Sequence, residues 1–150
     1  MKLFTMDKVI VLGTFSILLS ACAGERPDTL GAKNGTLALC PPSPNCVSSQ
    51  ARAERHRIDP LSFSDTPDAA MVRLKQLVKK RTDTTLIEAD SGYLRVEFRT
   101  TFFVDDGEFL IDREHKRIQV RSASRIGYSD LGKNRSRLEE IRRDFAKGGE

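Results

Sequence analysis

The chain has no tryptophan and only two tyrosines, and aromatic residues make up 7% of it. A modest core follows, still large enough to fold. Histidine is as scarce as tyrosine, with only His56 and His115. A metal site or a nucleophile–base pair therefore has few imidazoles to draw on. No Gly-x-Ser-x-Gly elbow and no Cys-x-x-Cys pair occurs, so two common hydrolase and thiol-redox signatures are missing. No internal repeat is present. The apolar run "VIVLGTFSILL", Val9 to Leu19, has about 11 residues where a bilayer span needs roughly 20.

That run follows Lys2 and Lys8 and has the length of a signal-peptide core. It leads into "LSAC", Leu19 to Cys22, which resembles the bacterial lipobox. The expectation is a lipoprotein signal peptide over 1–21 and thioether lipidation of Cys22. With Ala23 rather than Asp next, the anchor is expected in the outer membrane, facing the periplasm. Removing 1–21 takes away two Lys and one Asp, so the net charge falls from +4 to about +3. Charge is mixed along the chain and gives no nucleic-acid-binding pattern. The length left is that of one domain.

Residues 22–39 contain Gly, Pro and polar residues without a period, and read as a flexible tether. The globular domain is expected over 40–147. A first helix is signalled at "DTPDAAMVRLKQLVKKR", with Asp65 or Thr66 as cap and Pro67 in the first turn. Ala70, Leu74, Leu77 and Val78 give it one apolar face. Alternation of Leu94, Val96 and Phe98 with Arg95, Glu97 and Arg99 marks a strand with one buried face. Ser91-Gly92 suits a hairpin turn before it, and a second hairpin is expected around Arg113 to His115. "RIGYSDLGKN" reads as a loop. A last helix is expected from Ser136, with Ser136 and Glu139 at capping-box spacing and Glu139–Arg143 as an i,i+4 pair. The fold class is α+β: a mainly antiparallel sheet of about four strands with two helices packed on one face.

Cys40 and Cys46 bracket "PPSPN". Zinc sites use shorter spacings and more ligands, and redox pairs are closer together. In an oxidising compartment a pair that can close a loop reads as a disulfide. The arginine-rich block is the candidate binding site. Arg99, Arg121, Ser124, Arg125, Asp130, Asn134 and Arg135 could gather cationic forks and neutral donors around an anion. The same composition also suits a structural ion-pair network, with Arg125 held by Asp130 or Asp106. Asp105-Asp106-Gly107 reads as a turn or bulge rather than a calcium loop.

The blocks "CPPSPNCVSSQA", "YLRVEFRT", "FVDDGEFLID" and "VRSASRIGYSDLGKNRSRLEEIR" together resemble the uncharacterised family called domain of unknown function fourteen-ninety-nine. The resemblance covers roughly Leu39 to Phe145. It implies no activity and no catalytic residues, only that members are often exported or membrane-attached. The leading reading is a lipid-anchored, non-enzymatic envelope domain. It would bind an anionic ligand or an envelope protein partner through the arginine surface, with no metal, cofactor or catalytic residue assigned. The alternatives are a hydrolase using Ser124 or the Asp105–Asp106 pair, and a purely structural envelope protein.

Overall fold

The computed structural model describes residues 24–149. The signal peptide expected over 1–21 and the lipidation expected at Cys22 lie outside the described residues. Thr66 ends the lead-in to the first helix by accepting the Ala69 N–H at 3.2 Å, and Pro67 opens α1 (Pro67–Lys80) where its missing N–H has no partner to lose. Lys79 and Lys80 sit in the last turn, where the helix dipole favours cations. Strands β3 (Thr84–Ala89) and β4 (Tyr93–Arg99) then form a hairpin. Asp90 pins its turn by accepting the Gly92 and Tyr93 N–H groups at 2.7 and 2.6 Å. Strands β5 (Val104–Asp112) and β6 (Arg117–Ser124) continue the meander, and α2 (Lys133–Lys147) closes the chain.

The sheet is antiparallel throughout but has six strands, not about four. The extra two are β1 (Cys46–Ser48) and β2 (Leu61–Ser62), which both pair with the free edge of β6. At three and two residues they are too short to show a hydrophobic period. Order across the sheet is β1-β6-β5-β4-β3. Both helices cover one face. Leu94, Val96, Phe98, Phe109, Ile118 and Val120 meet Leu74 and Val78 of α1 and Leu138, Ile141 and Phe145 of α2 in a single core.

Three local expectations are corrected. Asp105 to Gly107 is neither turn nor bulge but the regular interior of β5, paired to both neighbours. Gly107 is there because Phe98 lies over it: a Cβ would sit 2.4 Å from the Phe98 ring and 2.8 Å from Val96. Gly107→Ala is expected to destabilise the fold by about 1–3 kcal/mol through overpacking, read as a lower denaturant midpoint at unchanged slope. Next, α2 begins at Lys133, a turn before Ser136, so the Ser136–Glu139 capping box does not form. Asp130 does that work instead, accepting the Asn134 N–H at 2.7 Å and the Gly132 N–H at 3.1 Å. Finally, Glu139 pairs with Arg142 rather than Arg143.

The stretch expected to be a flexible tether is bonded to the rest of the domain from Arg26 on. Arg26 reaches Glu97, the Gly31 N–H donates to Glu108 and the Leu37 N–H donates to Gln50, at 2.7, 2.8 and 2.8 Å. Residues 24–41 thus cross the sheet face opposite the helices. A Cys40–Cys46 disulfide ends this strap, at the point where Cys46 enters β1. Its prolines limit the freedom of an already short loop, and the chain-entropy model gives such a loop about 2 kcal/mol. Among the described residues no helix is long and apolar enough to cross a membrane.

Candidate functional site

Strand alternation sends every second side chain of β4, β5 and β6 to the strap face. Most of the residues that arrive there are charged, and register decides who meets whom. Glu97 lies opposite Asp106, and Glu108 lies between Arg95 and Arg121. The strap then removes them from water: Glu97 is 1% exposed, Asp106 2% and Glu108 0%. Buried carboxylates must be paired, and these are. Glu97 accepts from Arg26, Arg125 and Arg99 at 2.7, 2.5 and 2.5 Å. Asp106 accepts both Nε and a terminal nitrogen of Arg125 at 2.8 Å each, a bidentate fork. Glu108 accepts from Arg121, the Tyr93 hydroxyl and the Gly31 N–H, at 2.9, 2.8 and 2.8 Å.

The electrostatics follow from these contacts. Burial alone would raise the Glu97 carboxyl. Hydrogen bonds from Arg26 and Arg125 and the charges of Arg125 and Arg99 outweigh it and hold the group at about 2. Hydrogen bonding to Asp106 raises the Arg125 guanidinium above its ordinary value, against its own burial. Burial, then the Glu108 carboxylate, push the Tyr93 hydroxyl upward.

The arginines of the sequence-derived site therefore do not converge on open space. Arg99 and Arg121 lie on strands separated by β5 and point to different carboxylates. Arg125 takes Asp106 and not Asp130. Arg135 leaves the group altogether, donating to the Arg57 and Arg55 carbonyls at 2.6 and 3.0 Å. Asn134 is buried on the helix side, where Ser122 donates to it and it donates to Ser124 and the Asn45 carbonyl. Asp130 caps α2.

Ser124 is equally committed. Its hydroxyl donates to Asp105 at 2.5 Å, and Asp105 in turn accepts from Arg137 at 2.8 Å. Asp105 thus has one oxygen on Ser124 and the other on Arg137, and neither imidazole stands behind Ser124. His56 sits against the Cys46 carbonyl at 2.8 Å, and His115 meets Asp112 in the β5–β6 turn. Asp105 and Asp106 point to opposite faces, so they form no joint site. Among the described residues no three His, Cys, Asp or Glu side chains gather as metal ligands.

Two openings border the predicted site residues. One is a cleft of about 280 Å³ under the strap, lined by Thr29, Leu39, Arg121 and Arg125 among others. Arg121 is 5% exposed and its Nε is buried without a partner. The other is a groove of about 380 Å³ at one end of the sheet. The β4–β5 loop (residues 100–103) and the β6–α2 loop (125–132) build it, tied together by the Arg125 N–H to the Val104 carbonyl at 3.1 Å. Phe103, Ile126 and Leu131 supply its apolar lining, and Thr100, Ser124, Ser129, Lys133 and the carboxylates Asp105 and Asp130 line it beside them. Phe102 and Tyr128 project from the same loops, 72% and 77% exposed.

Sequence reasoning named Ser124 and Asp130 of this end and Asp106 as a partner of Arg125, but missed the apolar loop residues and the burial of Glu97 and Glu108. The visible signals were Phe102-Phe103, two large apolar residues falling outside strand alternation, and acidic and basic residues alternating on strands that become neighbours. A family model described as protein of unknown function (DUF1499) matches residues 36–145. No curated protein matches the chain.

Proposed function

The chain belongs to the DUF1499 family of proteins of unknown function, and we propose that it is a lipid-anchored, non-catalytic domain of the cell envelope, held by Cys22 at the outer membrane on the periplasmic side, that binds an amphiphile at the loop-end groove. One observation carries this reading. The buried arginines already have carboxylate partners, whereas the loop-end groove is open and mainly apolar. Its volume, about 380 Å³, falls among ligand pockets of roughly 300–1,000 Å³. An apolar chain fits against Phe103, Ile126 and Leu131, and its polar head meets Thr100, Ser129 and Lys133 on a rim that also carries Asp130. The arginine network then serves as a brace that holds the strap and the loops in place.

A dansylated undecanoate reports such binding by its emission. Saturable binding is expected, displaced by unlabelled palmitate. Phe103→Asp puts a carboxylate in the apolar lining and is expected to weaken binding about tenfold or more, some 1.4 kcal/mol. Arg113→Ala, in the β5–β6 turn at the other end of the sheet, is expected to leave it within about threefold. Absence of saturable binding, or equal affinity in Phe103→Asp, would refute the groove as the site.

A second reading rests on the unpartnered Arg121 Nε under the strap. A small ligand with an acceptor oxygen would satisfy it in the 280 Å³ cleft. Titration with inorganic phosphate and with acetate tests this. Heat of binding that disappears in Arg121→Lys supports it, and no heat in the wild-type protein rejects it.

A further inference from the structure

Seven large hydrophobic side chains are well exposed among the described residues, and five of them, Phe102, Phe103, Ile126, Tyr128 and Leu131, belong to the two loops of one end. The most exposed is Leu131, at 96%. Its backbone is left-handed at φ 53, a conformation that a branched side chain takes only when its surroundings impose it. Those surroundings are visible. Asp130 grips the N–H groups on the far side of Leu131, and the Leu131 N–H itself donates to the Ser129 hydroxyl at 3.2 Å. The loop therefore holds a strained, water-exposed leucine outward, beside two phenylalanines and a tyrosine. A single exposed leucine needs no explanation, but a contiguous apolar patch on structured loops does.

The chain itself enters at this end. Gly24 lies so close to the β6–α2 loop that a Cβ on it would stand 2.7 Å from Ile126 and 2.9 Å from Arg125. Cys22 precedes it by two residues, a reach of at most about 7 Å. We infer that this loop end seats on the bilayer surface, with Phe102, Tyr128 and Leu131 entering the boundary between headgroups and acyl chains. The inference rests on the lipid-anchored reading above, and adds to it an orientation and a second, non-covalent membrane contact. Apolar side chains seated in the interface add buried area to the hold given by the lipid on Cys22 and fix the orientation of the domain, which a lipid alone does not. Tyrosine suits the interface, with its ring in the apolar layer and its hydroxyl in the wet one. Lys133 of the groove is the cation this end offers to anionic headgroups, since Arg26 and Arg99, though half-exposed, are paired with Glu97. The groove then opens toward the lipid phase from which an amphiphile would come.

The absence of tryptophan makes the test direct, because one introduced indole is the only one in the chain. Phe102→Trp and Val72→Trp are made in the full chain, expressed with its own N-terminus. Each is reconstituted into phosphatidylethanolamine–phosphatidylglycerol vesicles carrying brominated acyl chains. Val72 is exposed on α1 and borders Leu94, at the other end of β4, roughly 20 Å away. The indole at 102 is expected to shift to the blue and to be quenched several-fold more than the indole at 72. Leu131→Asn, which suits the left-handed backbone and folds without the strained leucine, is expected to reduce the quenching at 102. The mass of the N-terminal peptide reports lipidation of Cys22 separately. Without a lipid on Cys22 the anchor reading fails, and the loop-end contact is then judged on the same vesicles by the unmodified chain. Preferential quenching at 102 supports the inference in either case, and equal or absent quenching at 102 and 72 overturns it.

Discussion

Arg125→Ala is expected to destabilise the domain by about 3–5 kcal/mol near neutral pH, because it leaves Asp106 buried with its fork removed and Glu97 with one donor fewer. Arg26 and Arg99 still reach Glu97, so the lower part of that range is the expectation. The loss carries a pH signature. Glu97 titrates at about 2 in the fold against an ordinary 4.5. A depressed carboxyl contributes stability that is fully present above the unfolded value and is lost as pH falls through 4.5 toward 2. The variant lacks part of that contribution. Its deficit against wild type is therefore largest near neutrality and narrows as pH falls to about 3, where wild type also loses it. Denaturant midpoints at the two pH values check this. A deficit that grows on acidification would contradict the pairing.

Arg137→Ala is expected to be at least as damaging, from the opposite side of the sheet. Arg137 is 2% exposed. It donates to Asp105 at 2.8 Å and Asp83 at 3.3 Å, and its guanidinium stands 4.5 Å from the centre of the Phe98 ring. Truncation leaves Asp105 charged and buried with only the Ser124 hydroxyl donating, and opens a void over Phe98, for about 3–5 kcal/mol in total. The mechanism is tested by neutralising both partners. Asp105→Asn with Arg137→Met keeps the volume and leaves no orphan charge, and is expected to recover at least half of the loss. If the double variant is as unstable as the two singles summed, the ion pair is not the cause. Because Arg137 and Asn134 both sit in the first turns of α2, the single variant is also expected to loosen the adjoining 125–132 loop.

Much of the helix side was legible in the sequence, and the strap side was not. Thr66-Pro67 fixes the start of α1 through a local hydrogen bond, and Leu94, Val96 and Phe98 alternate because their face is apolar and their neighbours are not. Cys40 and Cys46 could be paired by spacing and the expected compartment alone. The strap escaped because some of its anchors are backbone groups. The Gly31 N–H that meets Glu108 leaves no mark on side-chain pattern. Arginine partners escaped because register chooses them. Arg99 and Arg121 share a face yet belong to different carboxylates, separated by β5. Glu97 read as solvent-facing by alternation, which finds the face but not what covers it. The start of α2 moved by a turn because Asp130 caps it from three residues before Lys133, where no capping box is spelled.

Hydrogen exchange with saturating dansylated undecanoate separates the two surfaces in one experiment. If the arginines brace and the loop end binds, amide exchange slows in residues 100–103 and 125–132 and is unchanged in the strap over residues 26–31. Slowed exchange in the strap and around Arg121, with the loops unaffected, would contradict this and move the site to the ionic layer.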